Sequence, residues 1–298
     1  MKIAALDIGG TAIKQAIWNG TNLLMVSSHP SKALQGGEAL IEQVKSILGN
    51  MQPFDAIGIS TSGEVNPHSG VICSANKNIP FYAGKNLVEI LQAHFSVPVA
   101  IENDANAAAL GELHYGSMRN ESDFLFVTYG TGVGGAIIVD SKLYSGNAFS
   151  AGSFGGMVVH PEFLSEQDLL AGRYETYAST SALVRRAIQI DPYLNSGRAV
   201  FSAQDNPLVQ AEISNWIQEI VIGLVTLIYA FSPRSVVLGG GIMEHTNLAK
   251  TIENKVKEFV EPRFENVRIV QAQLGNSAGI MGVVYLAQEK QLSNREKS

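Results

Sequence analysis

The sequence repeats one pattern at two distant places: an apolar strand, a glycine turn and a second apolar strand. The first copy is KIAALDIGGTAIKQAIW, residues 2–18, and the second is DFLFVTYGTGVGGAIIV, residues 123–139. Residues 7–11 align with residues 128–132, although few residues in the two copies are identical. A structural repeat of this kind predicts two lobes of like topology. Two unrelated β-hairpins are the alternative.

The length of the chain also favours two lobes. Its 298 residues lie at the upper end of the roughly 250–300 residues at which a single core stops growing. Hydrophobic residues make up 46% of the chain and charged residues 16%, which is ordinary for a globular protein with a large core. We expect an N-terminal α/β lobe over residues 1–117 and a C-terminal α/β lobe over residues 118–298. The final helix is expected to pack back on the N-terminal lobe.

Charge and cysteine content exclude several classes of partner. The net charge of −6 argues against a general affinity for nucleic acid or anionic membranes. Cys73 is the only cysteine, so an intramolecular disulfide is impossible and the reducing cytoplasm is the expected location. The longest apolar run, residues 220–231, is shorter than the roughly 20 residues that span a bilayer. It therefore predicts a buried helix.

The two glycine turns are candidate phosphate sites. Glycine lets backbone amides approach an anion closely, and threonine adds a hydroxyl group. The candidate residues are Gly9, Gly10, Thr11, Thr131 and Gly132. Asp7, at the end of the first strand, is a candidate for Mg²⁺, directly or through water. Each turn alone also fits a simple tight hairpin, so the repeat carries the argument.

A third glycine segment, SVVLGGGIM over residues 235–243, follows a buried strand and precedes a predicted helix over residues 244–259. Gly240 and Gly241 could admit a flat base or a ribose. No lysine follows at the spacing of a phosphate-binding P-loop. A packing constraint between strand and helix is the alternative.

The segment IENDANAAALGE, residues 101–112, is more specific. Asn103 and Asp104 fall where a strand turns into a helix. The helix dipole is expected to favour the ionised form of Asp104, which could then accept the proton of a hydroxyl group. Asn103 offers a donor and an acceptor, which suits a polyol. A simple helix N-cap remains the alternative for both residues.

Together these segments resemble the ROK family, a group of repressors and sugar kinases in the actin, Hsp70 and hexokinase superfamily. The matching segments are, in family order, DIGGT, IENDANAAALGE, GTGVGGAI, AGSFGGM, YETYAST and VVLGGGI. The resemblance implies a two-lobed, ribonuclease H-like α/β fold with ATP and sugar in the cleft between the lobes. It implies that Asp104 is the catalytic base. The implied sugar-binding residues are Gly63, Asn103, Asp104, Ser153 and Glu175.

The chain departs from similar proteins at a zinc loop, where they read AGExGHM and then CxCGxxGCxE. Ser153 stands in place of the sugar-contacting glutamate, and Gly156 in place of the histidine that binds both sugar and zinc. The three cysteine positions hold Glu166, Asp168 and Arg173.

Zinc requires thiolate or imidazole ligands in a closed set, so we expect no structural zinc. Ion pairs among Glu166, Asp168 and Arg173 are expected to help close the loop, with His160 hydrogen-bonded nearby.

The sequence thus predicts an ATP- and Mg²⁺-dependent kinase that phosphorylates the 6-hydroxyl of a glucose-type sugar. The loss of the glutamate and histidine opens space beside the anomeric carbon, which favours a β-glucoside such as cellobiose. The alternatives are a glucokinase, an N-acylhexosamine kinase and, from another class, a non-catalytic sugar sensor. Because the DIGGT segment begins at Asp7, we expect no winged-helix module and no DNA binding. The expected assembly is a homodimer.

Overall fold

The computed structural model describes residues 1–75 and 79–295. It divides into two compact units. Unit 1 comprises Met1–Arg119, Ser145–Ser150 and Ser277–Ser298, and unit 2 comprises Asn120–Tyr144 and Ala151–Asn276. The last helix of the chain therefore belongs to unit 1.

Unit 1 contains seven of the strands and four of the helices in the part of the chain that the structure describes. The strands are β1 (Ile3–Ile8), β2 (Ala12–Trp18), β3 (Leu23–Pro30), β4 (Ala56–Thr61), β5 (Glu64–Asn66), β6 (Val71–Ser74) and β7 (Val99–Asn103). The helices are α1 (Gly37–Gly49), α2 (Leu87–Phe95), α3 (Asp104–His114) and α9 (Ala278–Arg295).

Unit 2 contributes the remaining described strands and helices. Its strands are β8 (Phe124–Tyr129), β9 (Val133–Val139), β10 (Lys142–Leu143), β11 (Ser235–Gly239) and β12 (Arg268–Gln271). Its helices are α4 (Tyr174–Ala178), α5 (Thr180–Ala187), α6 (Gly197–Ser202), α7 (Pro207–Phe231) and α8 (Leu248–Lys257).

The main sheets of the two units have the same topology. The strand order is β3-β2-β1-β4-β7 in unit 1 and β10-β9-β8-β11-β12 in unit 2. In each sheet the first three strands in sequence are antiparallel neighbours, and the next two extend the sheet in parallel. The prediction of an internal structural repeat is therefore confirmed, and two unrelated hairpins are excluded.

Helix α3 is held against α9 by a close crossing of small residues. A Cβ on Gly282 would collide with the backbone of Ala107, and a Cβ on Gly111 would collide with that of Ala278. Backbones approach this closely only where side chains are absent. Because α3 follows directly from β7, this crossing fixes the position of the first turn of α3.

Helix α7 is the central helix of the unit 2 core. Among the described residues it alone is long and apolar enough to cross a membrane by length and composition, and 44% of its most apolar window is buried. Buried side chains recur every three or four residues, as at Ile213, Trp216, Ile217 and Ile220. This spacing is typical of a helix with one face in a protein core.

Candidate active site

The carboxyl ends of the parallel strands of unit 1 bring Asp7 and Asn103 to one edge of the sheet. Asp7 pairs in register with Ser60, and the next residue of β4, Thr61, pairs with Asn103. The Ser60 hydroxyl donates to Oδ1 of Asp7 at 2.8 Å. Lys14, opposite Asp7 on β2, places its Nζ 3.4 Å from Oδ2. Both oxygens of Asp7 are therefore engaged, and the carboxylate is fixed in place.

Asn103 is the N-cap of α3. Its Oδ1 accepts hydrogen bonds from the backbone N–H groups of Ala105 (2.9 Å) and Asn106 (3.2 Å). Its Nδ2 donates to the Gly63 carbonyl at 3.0 Å and to Oδ1 of Asp104 at 3.1 Å. A side-chain amide has two donors and an acceptor with two lone pairs, so this side chain is fully occupied. The geometry supports the cap interpretation and gives Asn103 the task of orienting Asp104.

Asp104 is the first residue of α3, and its two oxygens differ. Oδ1 accepts from its Asn103 partner and from the N–H of Ala105 at 2.8 Å. No hydrogen bond from another described residue reaches Oδ2. The side chain keeps contact with solvent, so Oδ2 is available to accept a proton from a bound hydroxyl.

Although Asp104 keeps contact with solvent, the protein atoms around its carboxyl group partly desolvate it, which raises its pKa to about 6, and the negative charge of Asp7 adds to the rise. The sequence argument expected the helix dipole to favour the ionised form. That expectation gave the wrong direction for the net shift, because desolvation and a neighbouring carboxylate outweigh the hydrogen bonds from the backbone. A pKa near 6 nevertheless leaves the group mostly ionised at neutral pH.

The sequence analysis missed a supporting acid directly before this pair. Glu102 is only 4% exposed, and its Oε1 accepts from the N–H of Asn103 at 2.8 Å and from Nδ2 of Asn106 at 3.0 Å. Burial raises the pKa of Glu102. A polar residue at the end of an otherwise apolar strand, four residues before an asparagine on the next helix, was the available signal. Glu102 braces the turn that presents Asp104.

The first glycine turn links β1 to β2. The N–H of Gly9 donates to the carbonyl of Ala12 at 2.9 Å, which closes a tight hairpin. Gly10 is half-buried, whereas Thr11 is exposed. The turn therefore has the geometry of a tight hairpin, as the alternative interpretation predicted, and it also leaves Thr11 accessible to solvent.

The second glycine turn, in unit 2, links β8 to β9. The N–H of Gly130 donates to the carbonyl of Gly132 at 3.0 Å, and Thr131 is exposed. A Cβ on Gly132 would lie 2.5 Å from Oε2 of Glu175. The structure thus places Glu175, predicted to contact sugar, directly beside this predicted phosphate turn.

The third glycine segment lies against the end of β8. Gly240 has φ of +96°, and a Cβ there would collide with the carbonyl of Tyr129. Only glycine fits this approach without strain. In contrast, no described atom outside its chain neighbours lies within 4 Å of a Cβ built on Gly241.

Gly241 borders a pocket of about 440 Å³. The other lining residues are Thr180, Gly197, Arg198, Phe201, Ile242, Glu244, His245 and Asn276. The rings of Phe201 and His245 lie 4.3 Å apart, which gives the pocket an aromatic wall. These residues come from separate segments with no shared periodicity, and the sequence analysis predicted only Gly241 among them. The pocket has the size and composition of a small-molecule site.

The loop that replaces the zinc-loop sequence is closed without the predicted ion pairs. Nη1 of Arg173 donates to the carbonyl of Gly156 at 2.9 Å, and its Nε donates to the carbonyl of Leu169 at 3.3 Å. Oδ1 of Asp168 accepts from the N–H of Leu170 at 3.0 Å. The ion-pair prediction was therefore wrong. Free backbone carbonyls lie closer to the guanidinium than the two acids do.

His160 is hydrogen-bonded, as predicted. Its Nε2 lies 2.9 Å from Oε2 of Glu219 on α7, and its Nδ1 lies 3.2 Å from Oε1 of Glu162. Ser153 and Gly156, which replace the sugar-contacting pair, are both exposed. No described atom outside its chain neighbours lies within 4 Å of a Cβ built on Gly156. The space that a histidine would occupy is open.

Asp7 has the chemistry for Mg²⁺, which proteins commonly bind through one or two carboxylates together with substrate phosphates. Its side chain is 22% exposed and adjoins the first glycine turn. Among residues 1–75 and 79–295, no group of three or more His, Cys, Asp or Glu side chains could hold a metal ion on its own. This arrangement fits an ion that binds together with a nucleotide.

The chain is similar to known proteins over nearly its whole length. The family described as the ROK family matches residues 3–290. A β-glucoside kinase of Listeria innocua is 33% identical over 96% of this chain and 97% of its own. A structure from Listeria monocytogenes, described as a candidate N-acetylmannosamine kinase, superposes with a TM-score of 0.88 at 30% identity, covering 98% of this chain and 100% of that one.

A ROK glucokinase from Streptomyces griseus, solved with glucose and AMPPNP, has a TM-score of 0.85 at 26% identity, covering 97% of this chain and 100% of that one. The predicted fold class, the two-lobed fold of the actin and hexokinase superfamily, is confirmed by these similarities.

Proposed function

The chain belongs to the ROK family and is a sugar kinase, and we propose that it transfers the γ-phosphoryl group of ATP to the 6-hydroxyl of a β-glucoside. The observation that carries this proposal is the state of Asp104. Oδ1 is held by two hydrogen bonds while Oδ2 accepts none from another described residue, and the pKa of about 6 leaves the group ionised at neutral pH. A held, ionised carboxylate with one free oxygen is suited to general-base catalysis.

In the proposed reaction Oδ2 of Asp104 takes the proton of the sugar 6-hydroxyl as that oxygen attacks the γ-phosphorus. The new O–P bond forms as the bond from the γ-phosphorus to the bridging oxygen of ADP breaks, and ADP leaves with that electron pair. Asn103 orients the base through its hydrogen bond. Mg²⁺, held near Asp7, would neutralise phosphate charge.

The nucleotide is assigned to unit 2. Thr131 and Gly132 present a hydroxyl and backbone amides for the phosphates, as Gly9, Gly10 and Thr11 do in unit 1. The pocket beside Gly241, with its aromatic wall, is proposed to hold the base and ribose. The solved glucokinase of Streptomyces griseus contains AMPPNP, which supports ATP as the phosphoryl donor.

The choice of a β-glucoside rests on the open space at Gly156 and the short side chain of Ser153. A site that hydrogen-bonds the hydroxyls near C1 would discriminate strongly against sugars without them, and these two residues cannot make such bonds as a histidine and a glutamate would. A substituent at C1 then meets no clash. Glu175 remains beside Gly132 as a ring-hydroxyl acceptor. The similarity to a β-glucoside kinase supports the same substrate class.

Free glucose and an N-acylated hexosamine are the rival substrates, favoured by the glucokinase and the candidate N-acetylmannosamine kinase among the similar structures. A coupled assay of ADP release decides among them with cellobiose, methyl β-glucoside, glucose and N-acetylmannosamine. We expect the highest kcat/KM for a glucoside. A clear preference for free glucose contradicts the glucoside proposal, and sugar binding without ADP release would indicate a sensor.

We further propose that the protein acts in the cytoplasm as a homodimer without a nucleic-acid partner. A net charge of −6 and a single cysteine favour this setting. Light scattering after size-exclusion chromatography tests the assembly, and a mass of about 32 kDa, that of one chain, would contradict the dimer.

A further inference from the structure

The loop over residues 157–173 folds back on itself as a narrow hairpin. The N–H of Val159 donates to the carbonyl of Gly172 at 2.9 Å, and the N–H of Tyr174 donates to the carbonyl of Met157 at 2.8 Å. One end of the hairpin continues from Gly156 and the other leads into α4. Any movement of the hairpin therefore moves two candidate sugar-contacting positions together.

Two neighbouring residues of α7 hold this hairpin. Glu219 accepts at 2.9 Å from Nε2 of His160, whose backbone N–H donates to the carbonyl of Gly172 across the hairpin. The carbonyl of Ile220 accepts at 2.9 Å from the hydroxyl of Tyr174, at its base. The Tyr174 ring is completely buried, which anchors the returning side of the hairpin. The outgoing side is held to α7 by His160.

The contact between His160 and Glu219 is well shielded for an ionic hydrogen bond. The two side chains are 21% and 20% exposed, and the ring of Tyr177 on α4 lies 4.3 Å from the imidazole. Hydrogen bonds to charged groups stabilise more than neutral ones do. Exposed ion pairs contribute little to stability because water and salt screen them. The partly buried His160–Glu219 contact is screened less, so it should contribute more.

Arg173 transmits this restraint to the candidate site. Its hydrogen bond to the carbonyl of Gly156 at 2.9 Å ties the return strand of the hairpin to the residue beside which we place the sugar. The side chain of Glu175 follows two residues later and lies beside Gly132.

We propose that the His160–Glu219 contact fastens the 157–173 hairpin without a metal ion, and thereby positions Gly156 and Glu175 for sugar binding. His160 is in this view a positioning residue, because it is assigned no contact with substrate. The inference deepens the proposed function and rests on it for its kinetic consequences, whereas its structural part can be tested independently.

The contact should also depend on pH. The groups that face His160 are Glu162 on its own loop, Glu219 on α7, and the rings of Phe163 and Tyr177. Burial alone would lower the pKa of His160, but the hydrogen bonds and charges of both glutamates raise it above its usual 6.5. The stabilisation is therefore fully present below pH 6.5 and is lost as the pH rises through the raised pKa.

Hydrogen exchange followed by mass spectrometry tests the structural part with His160→Ala, His160→Gln and Glu219→Gln. We expect exchange across residues 157–173 to become about 10-fold faster in His160→Ala. Glu219→Gln, which keeps a hydrogen-bonding group but removes the charge, should have a smaller effect. It should also weaken the pH dependence of the protection factor, which is the exchange rate corrected for its intrinsic dependence on pH. Should His160→Ala fail to fold, His160→Gln gives the same comparison.

The matched control is Glu212→Gln, which breaks an ion pair between α7 and α5. Glu212 lies 3.1 Å from Nε of Arg186, and the two side chains are 27% and 30% exposed, so the pair resembles the His160–Glu219 contact. It should leave exchange in the hairpin unchanged. Equal effects of Glu212→Gln and Glu219→Gln, or no effect of His160→Ala, would overturn the inference.

Kinetics test the functional part. For His160→Ala we expect KM for the sugar to rise about 10-fold while kcat changes less than about 2-fold, because positioning for binding is lost and the base is untouched. An unchanged KM with faster exchange would refute the link to sugar binding. If the wild-type protein transfers phosphate to no sugar, the proposed function fails, whereas the exchange data still decide whether the contact fastens the hairpin.

Discussion

The two main sheets share one topology, but different types of residue lie at the carboxyl ends of their strands. At the carboxyl edge of the unit 1 sheet, Asp7, Glu102 and Asp104 place three carboxyl groups on or just beyond the parallel strands. At the matching edge in unit 2, β8 has Thr128 where β1 has Asp7, and β11 ends at Gly239. A common scaffold thus gives one acidic edge and one neutral, glycine-rich edge.

This difference assigns different tasks to the two edges. Carboxylates repel phosphates, so an acidic edge needs a counter-charge such as Lys14 or a metal ion before an anion can approach it. At the unit 2 edge the strands carry Thr128 and Gly239 instead, and the glycine turn can present backbone amides. The carboxylate of Glu175, which lies beside Gly132, comes from helix α4 and not from the sheet. The acidic edge is suited to removing a proton, and the neutral edge to holding an anion. Four predictions test this division, beginning with the largest expected effect.

Replacing Asp104 by Asn should lower kcat by about 10²–10⁴-fold, since general-base catalysis is typically worth that much. The change is nearly isosteric, so KM for the sugar should change little. Coupled measurement of ADP release gives both constants. Asp205→Asn, at an exposed acid of unit 2, is the control and should be silent. Near-wild-type turnover by Asp104→Asn would contradict the proposal that a carboxylate at the acidic edge is the catalytic base.

The fold was largely predictable because its signals are local. Alternating apolar strands around glycine turns predicted β1, β2, β8 and β9, and the repeat predicted their common topology. The start of the helix after the third glycine segment was predicted less accurately. It was expected from residue 244, but α8 begins at Leu248, because Asn247 before it has φ of +66° and interrupts the helical backbone.

The candidate site was predictable only where one short motif contains it. The IENDAN segment is such a motif, although the upward pKa shift of Asp104 comes from desolvation and, to a lesser extent, from Asp7, which is distant in sequence. Arg198 and His245 line the pocket of unit 2 from separate segments without any pattern. The partners of Arg173 could not be predicted either, because every residue has a backbone carbonyl and the sequence does not indicate which of them will accept.

The second prediction concerns two substitutions in the loop of unit 2 that follows β10. Combining Ser153→Glu with Gly156→His restores the two groups that similar proteins use near C1, and the open space at Gly156 accommodates the new ring. The ratio of kcat/KM for glucose to that for methyl β-glucoside should rise roughly 10-fold or more, as new hydrogen bonds reward the free anomeric hydroxyl. Gly156→Ala adds only a methyl group and is the control. An unchanged ratio would mean that residues 153 and 156 do not determine the preference between glucose and a β-glucoside.

The third prediction uses pH to separate the two edges. Because the ionised form of Asp104 is the base and its pKa lies at about 6 in the free protein, kcat/KM should rise with pH through that value and differ about 10-fold between pH 5 and pH 7. The Ser153→Glu, Gly156→His variant should show the same midpoint, since the base belongs to unit 1. A midpoint near 4, the ordinary value for an aspartate, would show that burial does not shift this carboxyl group.

The smallest expected effect concerns metal removal and the loop of unit 2. The positions that bind zinc in similar proteins hold Gly156, Glu166, Asp168 and Arg173, which lack the thiolate and imidazole groups that zinc requires. His160 is already engaged by two glutamates. Chelators should therefore leave the melting temperature unchanged, because no metal binding contributes to folding. Elemental analysis should find far less than one zinc per chain. About one zinc per chain, with a chelator-sensitive melting temperature, would show that the hairpin is closed by metal and that the His160–Glu219 contact is not its main restraint.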